Sequence, residues 1–253
     1  MDSYIDMKMM LIGRFFIFAI VVVLVFILIG CGRKNENVKV GDLAYSNNSD
    51  QYCVYINEGG KYVPFFVLTD KYTGGNALLL RKEVLEEKQR VNEYSSFYED
   101  SEVDVFLNSE YYSRLEDIQS LIQDTEVTIT EDNSIGKSGL EVKNINRSIF
   151  LLSCEELGFD SSVNAGLEGK ALNYFSNPDN RIAYSGSNAK GWILRTPNTY
   201  FLSTVYGVGT SGVLDIVNAF DESGIRPALC VKSSELVSEK EGVIDGTKVY
   251  VLE

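Results

Sequence analysis

The chain has 253 residues, a net charge of −13 and no histidine. Nucleic-acid binding needs a basic patch, and none is visible, so nucleic acid is excluded as a partner. The missing histidine removes Ser-His-Asp and Cys-His hydrolysis, His-ligated zinc and His phosphotransfer together. Chemistry built on carboxylates alone survives, because glycoside hydrolysis needs only two suitably spaced acids. No motif singles out such a pair among the 36 Asp and Glu.

The N-terminus reads as an export signal. Lys8 and Arg14 sit in a charged opening, and an unbroken apolar run follows from Phe15 to Gly30. A soluble helix would alternate polar and apolar faces, whereas this pattern is that of a secretory signal. Leu28, Ile29, Gly30 and Cys31 resemble the bacterial lipobox, which implies lipid attachment at Cys31. The alternative is an uncleaved single-pass anchor, although the run falls short of the ~20 residues that span a bilayer. Both readings place the remainder on the extracytoplasmic face of the cell membrane. The domains expected are a signal or anchor over 1–30, a tether with short β pieces such as "QYCVYI" over 31–61, a folded domain over 62–232, and a C-terminal hairpin or tail over 233–253.

Once Cys31 is set aside, Cys53, Cys154 and Cys230 remain, an odd number with no C-x-x-C spacing. Metal and cofactor motifs are both absent. Cys154 and Cys230 lie in apolar strings and read as small buried hydrophobes.

In chain order, "YVPFFVLTD" (62–70) and "NALLLRK" (76–82) predict an antiparallel pair joined by the "TGG" turn. Ser101 with Asp104 predicts a helix N-terminus, with Val103, Phe106 and Leu107 as its apolar stripe. Ser113 with Glu116 predicts a second short helix after a break near residues 108–113. "TEVTIT" (125–130) alternates as a strand, and 131–147 read as an exposed loop. "SIFLLS" (148–153) reads as a buried strand, followed by a short helix capped by Ser153 and Glu156 and ended by Gly158. Residues 160–190 form a long polar region of the kind that is either mobile or functional. Strands are expected in "GWILRTPN", "YFLSTVYG", "GVLDIVNAF" and "GIRPALCV". The Asp245-Gly246 pair predicts a final hairpin.

One stretch, "YGVGTSG" (206–212), carries the G-x-G-x-x-G spacing of a dinucleotide loop. That fingerprint needs a helix after the glycines and an acid ~20 residues on. Here a short β-branched run follows, and Asp221 and Glu222 come too early. The stretch is read as a β-hairpin, and no nucleotide is expected.

The segments "FFVLTDKYTGGNALLL", "VDVFLNSEYY", "SIFLLSCEE", "GWILRTPN" and "SGIRPALCV" resemble, in order, a widespread bacterial family, domain of unknown function 6273. The likeness covers roughly residues 62–231. Ile193, Thr196 and Asn198 depart from the family's Trp, Ser and Gly. Helices followed by strands ending in G-I-R-P-A are also similar at fold level to C-type-lectin-like domains and formylglycine-generating enzymes. The resemblance implies an α+β fold with two or three short helices on a twisted antiparallel sheet. It makes Trp192, Arg195, Pro197, Gly224, Arg226 and Pro227 motif residues, read as structural because arginines between aromatics and prolines stack and tie down carbonyls. Asn177, Asp179, Asn198 and Tyr200 are further ligand-loop candidates. The functional expectation is a non-enzymatic, membrane-tethered binding or adhesion module for a surface glycan or protein. The alternatives are a carboxylate-dependent enzyme on cell-wall glycans and a structural envelope lipoprotein.

Overall fold

The computed structural model describes residues 37–45, 53–132, 140–159, 167–244 and 246–253. The apolar run and Leu28, Ile29, Gly30 and Cys31 lie outside them. Among the described residues no helix is long and apolar enough to cross a membrane.

Strands β1 (Cys53–Glu58), β2 (Lys61–Thr69) and β3 (Asn76–Arg81) open the domain. Helix α1 (Glu102–Phe106) follows, then β4 (Thr125–Thr130), β5 (Val142–Arg147) and β6 (Ile149–Phe150). The small pair β7 (Ala183–Ser185) and β8 (Asn188–Lys190) precedes β9 (Trp192–Pro197), β10 (Thr204–Val208) and β11 (Leu214–Asn218). The chain ends in β12 (Ala228–Lys232), β13 (Ser238–Ile244) and β14 (Thr247–Leu252).

Among the described residues, seven strands form the main sheet in the order β13-β14-β1-β2-β3-β12-β6. Its centre is apolar on both faces. Leu78, Leu79 and Leu80 of β3 are all fully buried, which is why that strand reads as a continuous apolar run rather than an alternating one. β3 pairs with β12 antiparallel, Leu79 opposite Leu229. β1 pairs with β14 parallel, Tyr55 opposite Val251. Residues 53–58, placed in the tether by sequence, are therefore an interior strand, and Val40 and Leu43 of a 3-10 turn are buried beside it in the same core. Of the hairpin or tail expected over 233–253 it is the hairpin that forms, β13 and β14 pairing antiparallel and completing the sheet. A second sheet, β11-β10-β9, and the ladder β4-β5 stand apart from it.

The helical content is smaller than expected, with α1 as the one α-helix among the described residues. Ser101 caps it by accepting from the Asp104 amide at 3.3 Å. No break follows near residue 108. The chain passes directly into a π-helical turn, Leu107–Tyr111. The side chains expected to interrupt the helix instead bind its carbonyls: Asn108 Nδ2 donates to Asp104 O and Ser109 Oγ to Val105 O. Ser113 caps nothing, because its hydroxyl donates back to Glu110 O. Only a 3-10 turn, Glu116–Ile118, follows.

Two other expectations change. Within 131–147, residues 142–147 are strand β5, in register with β4 through Val127 opposite Ile145. Ile145 is its single buried side chain, so the alternation is too sparse to read from sequence. In 148–153 only Ile149 and Phe150 pair as a strand, with β12. Ser153 and Glu156 do form a reciprocal box, each accepting the other's amide, but close a turn rather than a helix.

The glycine stretch is a hairpin. Gly209 N donates to Val213 O at 2.8 Å and β11 follows, not a helix. Gly212 has φ +80, and a Cβ on Gly207 would meet Trp192 O at 3.0 Å. These glycines serve a tight turn and a close strand approach.

Candidate functional site

β9 brings Arg195 to the centre of a buried polar cluster. Its backbone is held from both sides, with Arg195 N donating to Leu152 O and Ile193 N to Gly224 O, both at 3.0 Å. The guanidinium uses all five donors. Nη1 and Nη2 grip Glu156 at 2.8 and 3.1 Å. The other bonds run to Leu151 O (2.7 Å), Thr128 O (3.0 Å) and Glu168 O (3.0 Å). The Glu156 carboxylate also accepts from Ser153 N and from the Tyr72 hydroxyl. The Glu168 carboxylate accepts from Thr130 N and Oγ1, both 2.7 Å, and from Thr196 Oγ1 at 2.6 Å. Arg195, Glu156 and Glu168 side chains are all fully shielded from solvent.

The electrostatics follow from that burial. Desolvation works against the Arg195 charge, yet Glu156 and Tyr72 beside it hold its pKa above the ordinary value. Burial pushes the Glu168 carboxyl up, and Arg195 with the two threonine hydroxyls offsets only part of this. The Arg195 Nε atom stands 4.0 Å from Glu168, while two of its nitrogens bind Glu156 directly. Burial, then Glu156, raises the Tyr72 hydroxyl as well.

Tyr72 connects this cluster to a surface groove of about 600 Å³. Residues 68–73, Glu126, Thr128 and residues 169–173 line it, with Tyr45 at one side. Asp70 and Glu126 are matched by Lys71 and Lys170, so the lining is balanced in charge although the chain is strongly acidic. Residues 169–173 come from the long polar region 160–190, whose described residues beyond them are less irregular than the sequence implies. Tyr174 and Phe175 enter the core, and Asn177 begins a second 3-10 turn.

The motif residues fall into place around a second arginine. Arg226 lies over the Trp192 ring at 4.7 Å from its centroid and donates to the carbonyls of Arg81 and Lys82, both at 3.1 Å. Among the described residues it has no carboxylate partner, and burial lowers its pKa to about 10. Trp192 Nε1 donates to Arg181 O at 3.0 Å. Pro197 ends β9 opposite Val205, and Pro227 O accepts from Arg81 N. Gly224 admits no side chain, because a Cβ there would lie 2.5 Å from Gly191 O.

The ligand-loop candidates do not converge. Asn177 accepts from Asp179 N, capping its own turn. Asn198 is buried and accepts from Tyr200 N. Tyr200 is exposed. Among the described residues no cluster of three His, Cys, Asp or Glu is arranged to hold a metal. Sequence reasoning missed Tyr72, Glu156 as an ion partner, and Glu168. The Ser153-x-x-Glu156 spacing marked one of them, but as a cap only.

A sheet-rich domain whose central ions are consumed in packing, with an open groove beside them, is the class of molecule these observations define. The chain belongs to the family described as domain of unknown function (DUF6273), whose sequence profile matches residues 74–233. No curated protein and no solved structure matches it.

Proposed function

We propose that this is a non-enzymatic binding module, held on the extracytoplasmic face of the membrane through a lipid on Cys31, that takes an uncharged polar ligand such as a glycan in the groove beside Tyr72. The observation that carries this is the groove itself: about 600 Å³, walled by four separate segments, and balanced in charge in an acidic chain. Ligand pockets are typically of this size, with a few polar groups fixing orientation. The buried acids beside it support binding over catalysis. Glu156 and Glu168 are closed off from solvent and fully hydrogen-bonded, whereas a glycosidase pair must reach a sugar and a water. The C-type-lectin-like plan belongs to the same proposal, as do the lipobox and the signal segment.

The full chain in detergent micelles, incubated with delipidated cell-wall polymer, tests the reading. Retention without new polymer fragments, reduced at least tenfold in Asn173→Ala combined with Lys170→Glu, is the expected result. Fragments that vanish when acids are changed to amides would replace the binder with an enzyme. Equal retention of parent and double variant would remove the groove from the account.

A further inference from the structure

The second sheet ends in an open edge. β11 pairs with β10 on one side, Tyr206 opposite Ile216, and no strand among the described residues pairs with its other side. The bonds flanking the ladder fix which groups face outward. Gly209 N reaches Val213 O and Ala219 N reaches Ser203 O, so Val213, Asp215, Val217 and Ala219 aim their backbone groups at β10. Leu214, Ile216 and Asn218 aim theirs away from it. The outward Ile216 amide is covered only by the exposed carboxylate of Asp215, at 2.8 Å.

Soluble proteins blunt such edges with lysines, prolines or cover. β11 carries neither lysine nor proline, and its one charge is Asp215. Between Arg195 and Arg226 the chain contains no lysine or arginine at all, while Asp215, Asp221 and Glu222 supply negative charge. Large apolar side chains flank the same edge: Val213 and Ile216 are more than half exposed, and Phe201 and Phe220 are close to that or beyond it. The Ser203–Ala219 bond draws the 201–203 turn and Phe220 together.

We infer that β11 is a docking edge for an extended, basic polypeptide segment of a partner protein, which adds as a further strand. Backbone hydrogen bonds to Leu214 and Ile216 supply the pairing, apolar side chains at alternate positions rest on Ile216 and Phe220, and a Lys or Arg draws Asp215 off the Ile216 amide. Charge selects the occupant, since an acidic strand would meet Asp215, Asp221 and Glu222 without a compensating cation. This surface is separate from the groove and stands whether or not the groove holds a ligand.

The test uses the full chain in detergent micelles and three fluorescent octapeptides: alternating Lys and Val, alternating Glu and Val, and the Lys–Val peptide with a central proline. The Lys–Val peptide binds, the other two do so at least tenfold more weakly, and 0.5 M salt weakens the complex. Ile216→Pro removes an outward donor together with the apolar side chain the peptide rests on, at a position where an edge strand tolerates proline, and it lowers the affinity at least tenfold. Trp192 fluorescence reports whether that variant is folded. Should it unfold, hydrogen exchange on the parent decides, with new protection expected at the Leu214 and Ile216 amides. Equal binding of the acidic and basic peptides, no binding, or no new protection overturns the inference. So does a dimer of the chain that Ile216→Pro abolishes, since a second copy would then be the occupant.

Discussion

Glu156 and Glu168 are equally buried beside Arg195, yet amide substitution separates them sharply. Glu156→Gln replaces the carboxylate that two guanidinium nitrogens grip, removing the directly bonded ion partner of Arg195 and turning one amide NH2 toward donors. Breaking a buried pair this way costs about 3–5 kcal/mol. Glu168 differs because burial raises its pKa, so its site disfavours the charge that glutamine removes while keeping the shape. A Gln oxygen keeps the bonds from Thr130, and the expected cost is about 1 kcal/mol or less. Urea unfolding followed by Trp192 fluorescence at constant m measures both, and with m ~2 kcal/mol/M the Glu156→Gln midpoint falls by about 2 M. The two also differ in pH dependence. A carboxyl whose folded pKa lies above its unfolded value contributes stability that is present below the unfolded pKa and is lost as pH rises through the folded pKa. Parent stability therefore carries a loss, from about pH 4 upward, to which Glu168→Gln is blind, and the variant gains on the parent across that window. A Glu168→Gln variant as unstable as Glu156→Gln, or a difference that does not move with pH, refutes the argument.

Gly224→Ala places a methyl 2.5 Å from Gly191 O and 2.6 Å from Val84 Cγ1. With a backbone atom unable to yield, the cost is about 3 kcal/mol, a fall in Tm of about 6–12 °C for a domain of this size; an unchanged Tm by calorimetry would count against the packing described. Burial first, then a neighbouring carboxylate, raises the pKa of Tyr72, Tyr98 and Tyr111. Their contribution to stability is complete below about pH 10 and is lost as pH rises further. Absorbance at 295 nm should show these three ionising only with cooperative unfolding, and a smooth titration of all tyrosines ahead of unfolding would contradict their placement.

The parts of the fold that sequence disclosed are those whose signal is local. "FFVL", "ALLL" and "WILR" are buried on both sides and so announce β2, β3 and β9, and Ser101 announces its helix through a cap three residues long. β5 stayed hidden because one inward side chain, Ile145, makes no visible period. The site was less legible still. Glu168 lies in a polar run and becomes a core residue only through Thr130, Arg195 and Thr196, all distant in sequence. The groove joins four such distant segments, so no window of sequence contains it. The break expected near Asn108 failed because propensity takes no account of Ile149 O, which that side chain also reaches.

The parallel pairing of β1 with β14 carries a consequence for how the chain is made. β1 and β2 can close as a hairpin early in synthesis, but the other side of β1 has no partner until the last residues, 247–252, have been added. Until then Val54 and Ile56 lie in a strand with one edge open to any other extended chain. The sheet is thus latched by residues 247–252, and their deletion would leave the latch open in every molecule, favouring self-association over folding.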